Sequence, residues 1–209
     1  MTALQQDLLH LFQTSGGYLT SHEVRAAGIP TLYLTLLERR GIIERLQRGV
    51  YRYPEAQTGV VNSTAADLLE VQLRVPYARP CLTSALSLHG MTTTRSTALQ
   101  FAIPANKQFP ELKEPAIEVF YFRPKMYQTG SMSIDVAGRA LHTYTPEKTL
   151  VDMLHYAPRF GRELYLEGLK KYLQRRTGSP TALIKMAKAL GEEKELRRDL
   201  EVLLHDQDH

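Results

Sequence analysis

A single cysteine, Cys81, stands among 209 residues, so no intramolecular disulfide can form and the chain suits a reducing compartment. No apolar run approaches the roughly 18 residues that a membrane-spanning helix needs. The N-terminus turns polar and acidic within its first seven residues, at Gln5, Gln6 and Asp7, without the basic start and apolar stretch of a signal peptide. These absences point to a soluble cytoplasmic protein. Internal repeats and low-complexity segments are missing as well. A strong excess of one charge is also lacking. The formal net charge is +4, with six Lys/Arg against five Asp/Glu in residues 1–56 and 20 against 17 in the rest. That balance tolerates a polyanion without requiring one, so local placement must carry any nucleic-acid argument.

Catalytic signatures are equally scarce. There is no Gly-rich phosphate loop; Gly16-Gly17 and Gly178 read as turn residues. The seven histidines (10, 22, 89, 142, 155, 205 and 209) show no ligand spacing with Cys or acids. His205 and His209 are four apart, but they sit in a tail with Asp206 and Asp208 that reads as a frayed terminus. Asp135, Glu147, Lys148 and Asp152 invite a metal-dependent nuclease reading, yet their spacing matches no such pattern. Glu147 and Lys148 open a helix, where an acid favours the dipole without any catalytic role. Cys81 has Arg79 nearby but no basic pattern that marks a nucleophile, and reads as a structural thiol. No catalytic residue, metal or cofactor is expected, and the chain is read as a non-enzyme.

What the chain does have is enough apolar material, 43% of its residues, to bury a core. Leu4, Leu8, Leu11 and Phe12 repeat at helical spacing and predict a helix over 3–14, ended by Gly16-Gly17. Thr20 and Glu23 form a capping-box pattern for a second helix, with Val24 and Ala27 facing inward and Gly28 as its stop. Pro30 suits the first turn of a third, whose apolar stripe reads as Leu32, Tyr33, Leu36 and Leu37, with Gly41 ending it. Runs 42–46 and 50–53 are β-branched and aromatic, and Arg48-Gly49 supplies a tight hairpin turn. Three helices and a basic hairpin are the layout of a winged helix-turn-helix.

In such a module the second helix of the pair enters the major groove. Thr31 and Thr35 are then placed for base edges or phosphates, with Leu34 beside them for an apolar contact. Arg39 and Arg40, at the far end, suit phosphates. The hairpin is expected to bring Arg45, Arg48 and Arg52 together as a cationic wing. Thr20 and Ser21 are expected to leave free N–H groups as a phosphate seat. A winged helix that binds protein instead is the competing reading.

Residues 55–60 read as a linker, placing a domain boundary between 56 and 57. The rest, 57–209, reads as mixed α/β: helices at 64–74 and 83–89, strands at 98–103, 116–122, 131–136 and 139–144, and a helix opened by Thr145-Pro146-Glu147. A helical end follows at about 161–209, with helices at 161–174, 180–190 and 192–205. The fold class is therefore α+β, a winged helix-turn-helix followed by a mixed α/β domain with a helical C-terminal portion. From Gly168 to Gly191 there are six basic residues and no acid: Lys170, Lys171, Arg175, Arg176, Lys185 and Lys188. They are a candidate patch for phosphate or an acidic partner, set against a solvated face compensated by the acids that follow.

Several motifs recur in one order: Gly16-Gly17-Tyr18-Leu19-Thr20, Ala27-Gly28-Ile29, Arg40-Gly41-Ile42-Ile43, then Arg48-Gly49-Val50-Tyr51. Further on come Leu82-Thr83-Ser84-Ala85-Leu86-Ser87-Leu88-His89-Gly90 and Thr145-Pro146-Glu147-Lys148-Thr149-Leu150-Val151-Asp152-Met153-Leu154. Over about residues 5–160 this order resembles the AbiEi-type antitoxins of abortive-infection toxin–antitoxin systems of type IV. The resemblance implies a front domain that binds promoter repeats in double-stranded DNA and represses its own operon. It implies a second domain that counters a nucleotidyltransferase-like toxin in phage defence, in many members without a stable complex. It assigns no residue to antitoxicity. The recognition helix is less basic than that of an average DNA reader. The chain is read as a monomer or a DNA-induced dimer. A plain winged-helix regulator, with a sensing or dimerising second domain, is the alternative.

Overall fold

Leu8 and Phe12 of the first helix share an apolar cluster with Leu34 and Leu37 of the third, and the front of the chain folds around them. The computed structural model describes residues 2–56, 63–112 and 114–205. Most of the expected linker at 55–60, and the tail with Asp206, Asp208 and His209, lie outside the described residues. The chain divides into two compact units: residues 1–76 with 134–141, and residues 77–133 with 142–209. The architecture is mixed α+β.

The first unit runs α1 (Ala3–Thr14), β1 (Tyr18–Thr20), α2 (Ser21–Ala26), α3 (Leu32–Arg39), β2 (Glu44–Gln47), β3 (Val50–Arg52) and α4 (Ser63–Arg74). Its three strands form an antiparallel sheet in the order β1-β3-β2. Strand β1 was not expected, since three residues carry too little alternation to be read. Gly49 turns the hairpin at φ +84°, and the register slips between Arg45 and Gln47. Gly16 has φ +65°, and a Cβ there would lie 2.0 Å from the Ala137 carbonyl oxygen. Residues 134–141 thus approach the backbone of the first unit where only glycine fits.

Helix α3 corrects two expectations. Pro30 precedes the helix, its carbonyl accepting the Tyr33 N–H, and the regular ladder starts at Leu32. The buried stripe is Leu34 and Leu37, both 0% exposed, whereas Leu32 is 63% exposed. Leu34 therefore packs into the core and is not available to DNA. Apolar residues surround this short helix, so packing against α1 decides which face is inward.

The second unit contains β4 (Arg79–Pro80), α5 (Leu82–Leu88), β5 (Leu99–Pro104), β6 (Ile117–Phe122) and α6 (Pro124–Gln128). The hairpin strands β7 (Ser131–Val136) and β8 (Arg139–Tyr144) follow, their inner ends belonging to the first unit. Then come α7 (Pro146–His155), α8 (Ala157–Phe160), α9 (Glu163–Leu173), α10 (Pro180–Leu190) and α11 (Glu193–His205). Strands β4, β5 and β6 form one sheet in that order, with β5 and β6 parallel. Thr145 caps α7 by accepting the Lys148 N–H, as its sequence predicts. Helix α7 packs on α5, α9 and α10, which explains why residues 148–154 of this helix are buried. Phe122, Tyr144, Leu150, Tyr165 and Leu169 fill the core between them.

Candidate nucleic-acid interface

Ser21, the first residue of α2, donates its backbone N–H to the Gly49 carbonyl at 2.9 Å. This bond ties the hairpin turn to the start of α2. The result is a shallow cleft of about 470 Å³, lined by Ser21, Arg25, Thr31, Thr35, Arg45, Arg48, Gly49 and Tyr51. Thr31 and Thr35 are one helical turn apart, so they share a face of α3. Arg25, in the last turn of α2, lies four residues beyond Ser21, again on the same face. Arg45 and Arg48 come from the hairpin and are exposed.

No acid lines this cleft. Arg25, Arg45 and Arg48 form no ion pair among the described residues; Arg45 makes only a long bond from Nε to the Gln47 carbonyl, 3.4 Å. Three other arginines of the unit are matched: Arg74 with Glu70, Arg139 with Glu23, and Arg52 with both Glu44 and Glu70. Three unmatched guanidinium groups around two hydroxyls make a surface suited to phosphate oxygens and base edges. Sequence reading overlooked Arg25, although its i,i+4 spacing from Ser21 was the available signal.

Of the residues expected at a DNA surface, Ser21, Thr31, Thr35, Arg45 and Arg48 converge here. Arg39 and Arg40 are exposed at the C-terminal end of α3, outside the cleft. Arg52 does not line the cleft. It lies opposite Glu44 in the hairpin register, pairs with it at 2.5 Å and reaches Glu70 at 3.1 Å. The expected phosphate seat at Thr20 and Ser21 is already filled. Thr20 N–H donates to Glu23 Oε2 at 2.7 Å, the Glu23 N–H donates to Thr20 Oγ1, and the Ser21 N–H is held by Gly49.

The basic run in the second unit is also partly committed. Lys171 pairs with Glu167 at 2.7 Å, and Arg175 donates to the His89 carbonyl. Lys170, Arg176, Lys185 and Lys188 remain exposed. Asp135 is exposed and accepts the Gly138 N–H at 3.2 Å, a turn contact. Glu147 accepts the Tyr172 hydroxyl at 2.7 Å. Lys148 and Asp152 form a buried ion pair within α7. Burial pushes the Cys81 thiol well above its usual pKa, with Asp152 adding to the shift. Among the described residues no cluster of three potential metal ligands occurs, and no helix is long and apolar enough to cross a membrane.

No curated protein matches the chain. Residues 6–54 match a family model described as "Transcriptional regulator, AbiEi antitoxin", a span that runs from α1 through the hairpin and contains every residue of the cleft, so the chain carries an AbiEi antitoxin-type regulator domain at its N-terminus.

Proposed function

We propose that residues 1–56 act as a winged helix-turn-helix that docks on duplex DNA, with α2 and α3 as the helix pair and β2–β3 as the wing. Thr31 and Thr35 face base edges in the major groove, while Arg25, Arg45 and Arg48 hold the phosphates on either side. Arg39 and Arg40 extend the phosphate contacts along α3. The observation that carries this reading is the acid-free cleft with three unmatched arginines, inside the segment that matches the regulator family. The target is the chain's own promoter repeats, so that the protein represses its operon. Residues 57–209 form the domain that counters a nucleotidyltransferase-like toxin.

Two measurements test this. Fluorescence anisotropy with the chain's own promoter, against scrambled duplex at several salt concentrations, should show a specific and salt-sensitive complex. Equal affinity for both duplexes would remove the operator assignment. Co-expression with the adjacent reading frame, scored for growth, tests antitoxicity. Loss of toxicity in the presence of this chain supports it, and a neighbouring frame unrelated to nucleotidyltransferases favours a plain regulator.

A further inference from the structure

The second unit holds a cavity of about 580 Å³, within the range of small-molecule sites. It lies where the parallel strand β6 ends and the chain turns into α6, against α7 and the junction of α10 and α11. In sheets with parallel strands, the crevice beyond the carboxyl ends is the usual ligand position.

Three features of its lining define a chemistry. Arg123 and Lys125 are exposed and form no ion pair among the described residues. By contrast, Arg159 is matched with Glu118 at 2.5 Å and Arg162 with Asp199 at 2.5 Å. Two unmatched cations side by side in a cavity form an anion subsite. Tyr121, 57% exposed, and the half-buried Tyr156 add aromatic surface for a flat ring.

The third feature is Asp152, whose residue is 1% exposed. Its Oδ2 accepts from Lys148, but Oδ1 has no hydrogen-bond partner. A buried acceptor left unsatisfied is costly, and Asp152 belongs to the cavity lining, although Oδ1 itself has almost no accessible surface. The facing wall is already balanced, since His155 Nδ1 and Glu192 Oε1 lie 2.7 Å apart.

An anion joined to a planar ring is the chemistry of a nucleoside monophosphate. A bare metal cation is opposed by Arg123 and Lys125, a fatty acid offers no flat ring to the tyrosines, and free phosphate leaves them unused. We propose that this cavity binds a nucleoside monophosphate, its phosphate on Arg123 and Lys125 and its base against Tyr121 and Tyr156. The site is independent of the DNA-binding reading and stands or falls separately from it.

Isothermal titration of the full chain with AMP, GMP, CMP and UMP, with the matching nucleosides, and with inorganic phosphate tests the assignment. At least one monophosphate should bind saturably, and more tightly than its nucleoside or phosphate alone. Replacing Arg123→Ala and Lys125→Ala together should weaken it about tenfold or more. Met126→Trp, which fills the cavity from its apolar side, should also abolish binding while circular dichroism shows an intact fold. No saturable heat up to about 1 mM with any of the four would overturn the proposal. So would phosphate binding as tightly as the nucleotide, or unchanged affinity in the Arg123→Ala/Lys125→Ala variant.

Discussion

Arg139 donates one guanidinium nitrogen to Glu23 Oε1 at 2.7 Å across a separation of 116 residues, and another to the Tyr18 carbonyl at 2.9 Å. The same Glu23 carboxylate caps α2 through the Thr20 N–H. Residues 134–141 are thereby fastened to the capping box from which α2 starts. Burial alone would raise the Glu23 pKa; the Thr20 N–H and the Arg139 guanidinium outweigh it and hold the carboxyl below its ordinary value. A depressed folded pKa contributes stability above the unfolded value and loses it as pH falls through the folded one.

Arg139→Ala should therefore destabilise the protein by about 0.5–1 kcal/mol at neutral pH, a figure kept low because the Glu23 side chain is 39% exposed. The deficit should shrink as pH falls below the carboxylate range, where Glu23 is protonated in both proteins. Glu23→Gln should cost less in the Arg139→Ala background than in the wild type. Urea unfolding at neutral pH and near pH 3 reads both effects; an equal deficit at the two pH values would show that the contact works by packing rather than charge.

Arg25→Ala, Arg45→Ala and Arg48→Ala should each weaken binding to all duplexes and reduce the salt slope by about 0.9 per lost phosphate contact. Arg52→Ala should behave differently. Its guanidinium is held by Glu44 and Glu70, so the variant should lose stability and keep the wild-type salt slope. Anisotropy titrations across salt, beside urea midpoints, separate the two groups; a reduced slope in Arg52→Ala would return that residue to the wing.

How much of this was readable in advance depends on the range of the interactions. The capping box at Thr20 and Glu23 is local, three residues apart, and is present as expected. The helix start at Thr145 is local too. The ion pairs of Arg52 had no sequence signal because its partners are set by strand register and by Glu70 on α4, neither of which spacing reveals. Leu32 and Leu34 were exchanged because α3 is apolar on several sides and only eight residues long, so periodicity does not fix its rotation. The assignment of residues 134–141 to the first unit rests on Gly16 meeting Ala137 and on Arg139 meeting Glu23, contacts with no local signature. In the second unit, the conflict at Asp152 was invisible because an i,i+4 Lys–Asp pair is ordinarily a surface feature.

Leu32 is 63% exposed beside Thr31 at the start of α3, an apolar side chain with no place in the core. On the proposed docking it meets the major groove, where thymine methyl groups are the apolar contact available. Leu32→Ala should leave stability within about 0.5 kcal/mol of wild type, as an exposed change does. It should cost roughly 1 kcal/mol on the operator and little on scrambled duplex. A parallel loss on both duplexes would place Leu32 outside base reading.

Lys148 and Asp152 carry the largest electrostatic conflict in the second unit, since both are buried, at 0% and 1% exposure. Lys148 Nζ also lies 4.6 Å from the Tyr144 ring centroid and 4.8 Å from that of Phe122. Burial lowers the Lys148 pKa and raises Asp152 to about 6, each shift moderated by the partner. Asp152→Ala leaves an uncompensated buried ammonium and should cost about 3–5 kcal/mol. The double change Lys148→Met with Asp152→Leu removes both charges and should cost far less. The raised Asp152 pKa also fixes a sign. Between the ordinary Asp value and about 6 the folded protein holds a proton that the unfolded chain has lost, so this group's contribution to stability falls as pH rises through that window. Wild type should therefore lose stability relative to the double variant between pH 4 and pH 7. The titrating groups common to both proteins cancel in the difference. Lys148, its pKa lowered, acts in the opposite direction as pH rises through its folded pKa. Urea midpoints of the two proteins at both pH values make the comparison, and a gap independent of pH would mean that Asp152 keeps its ordinary pKa when buried.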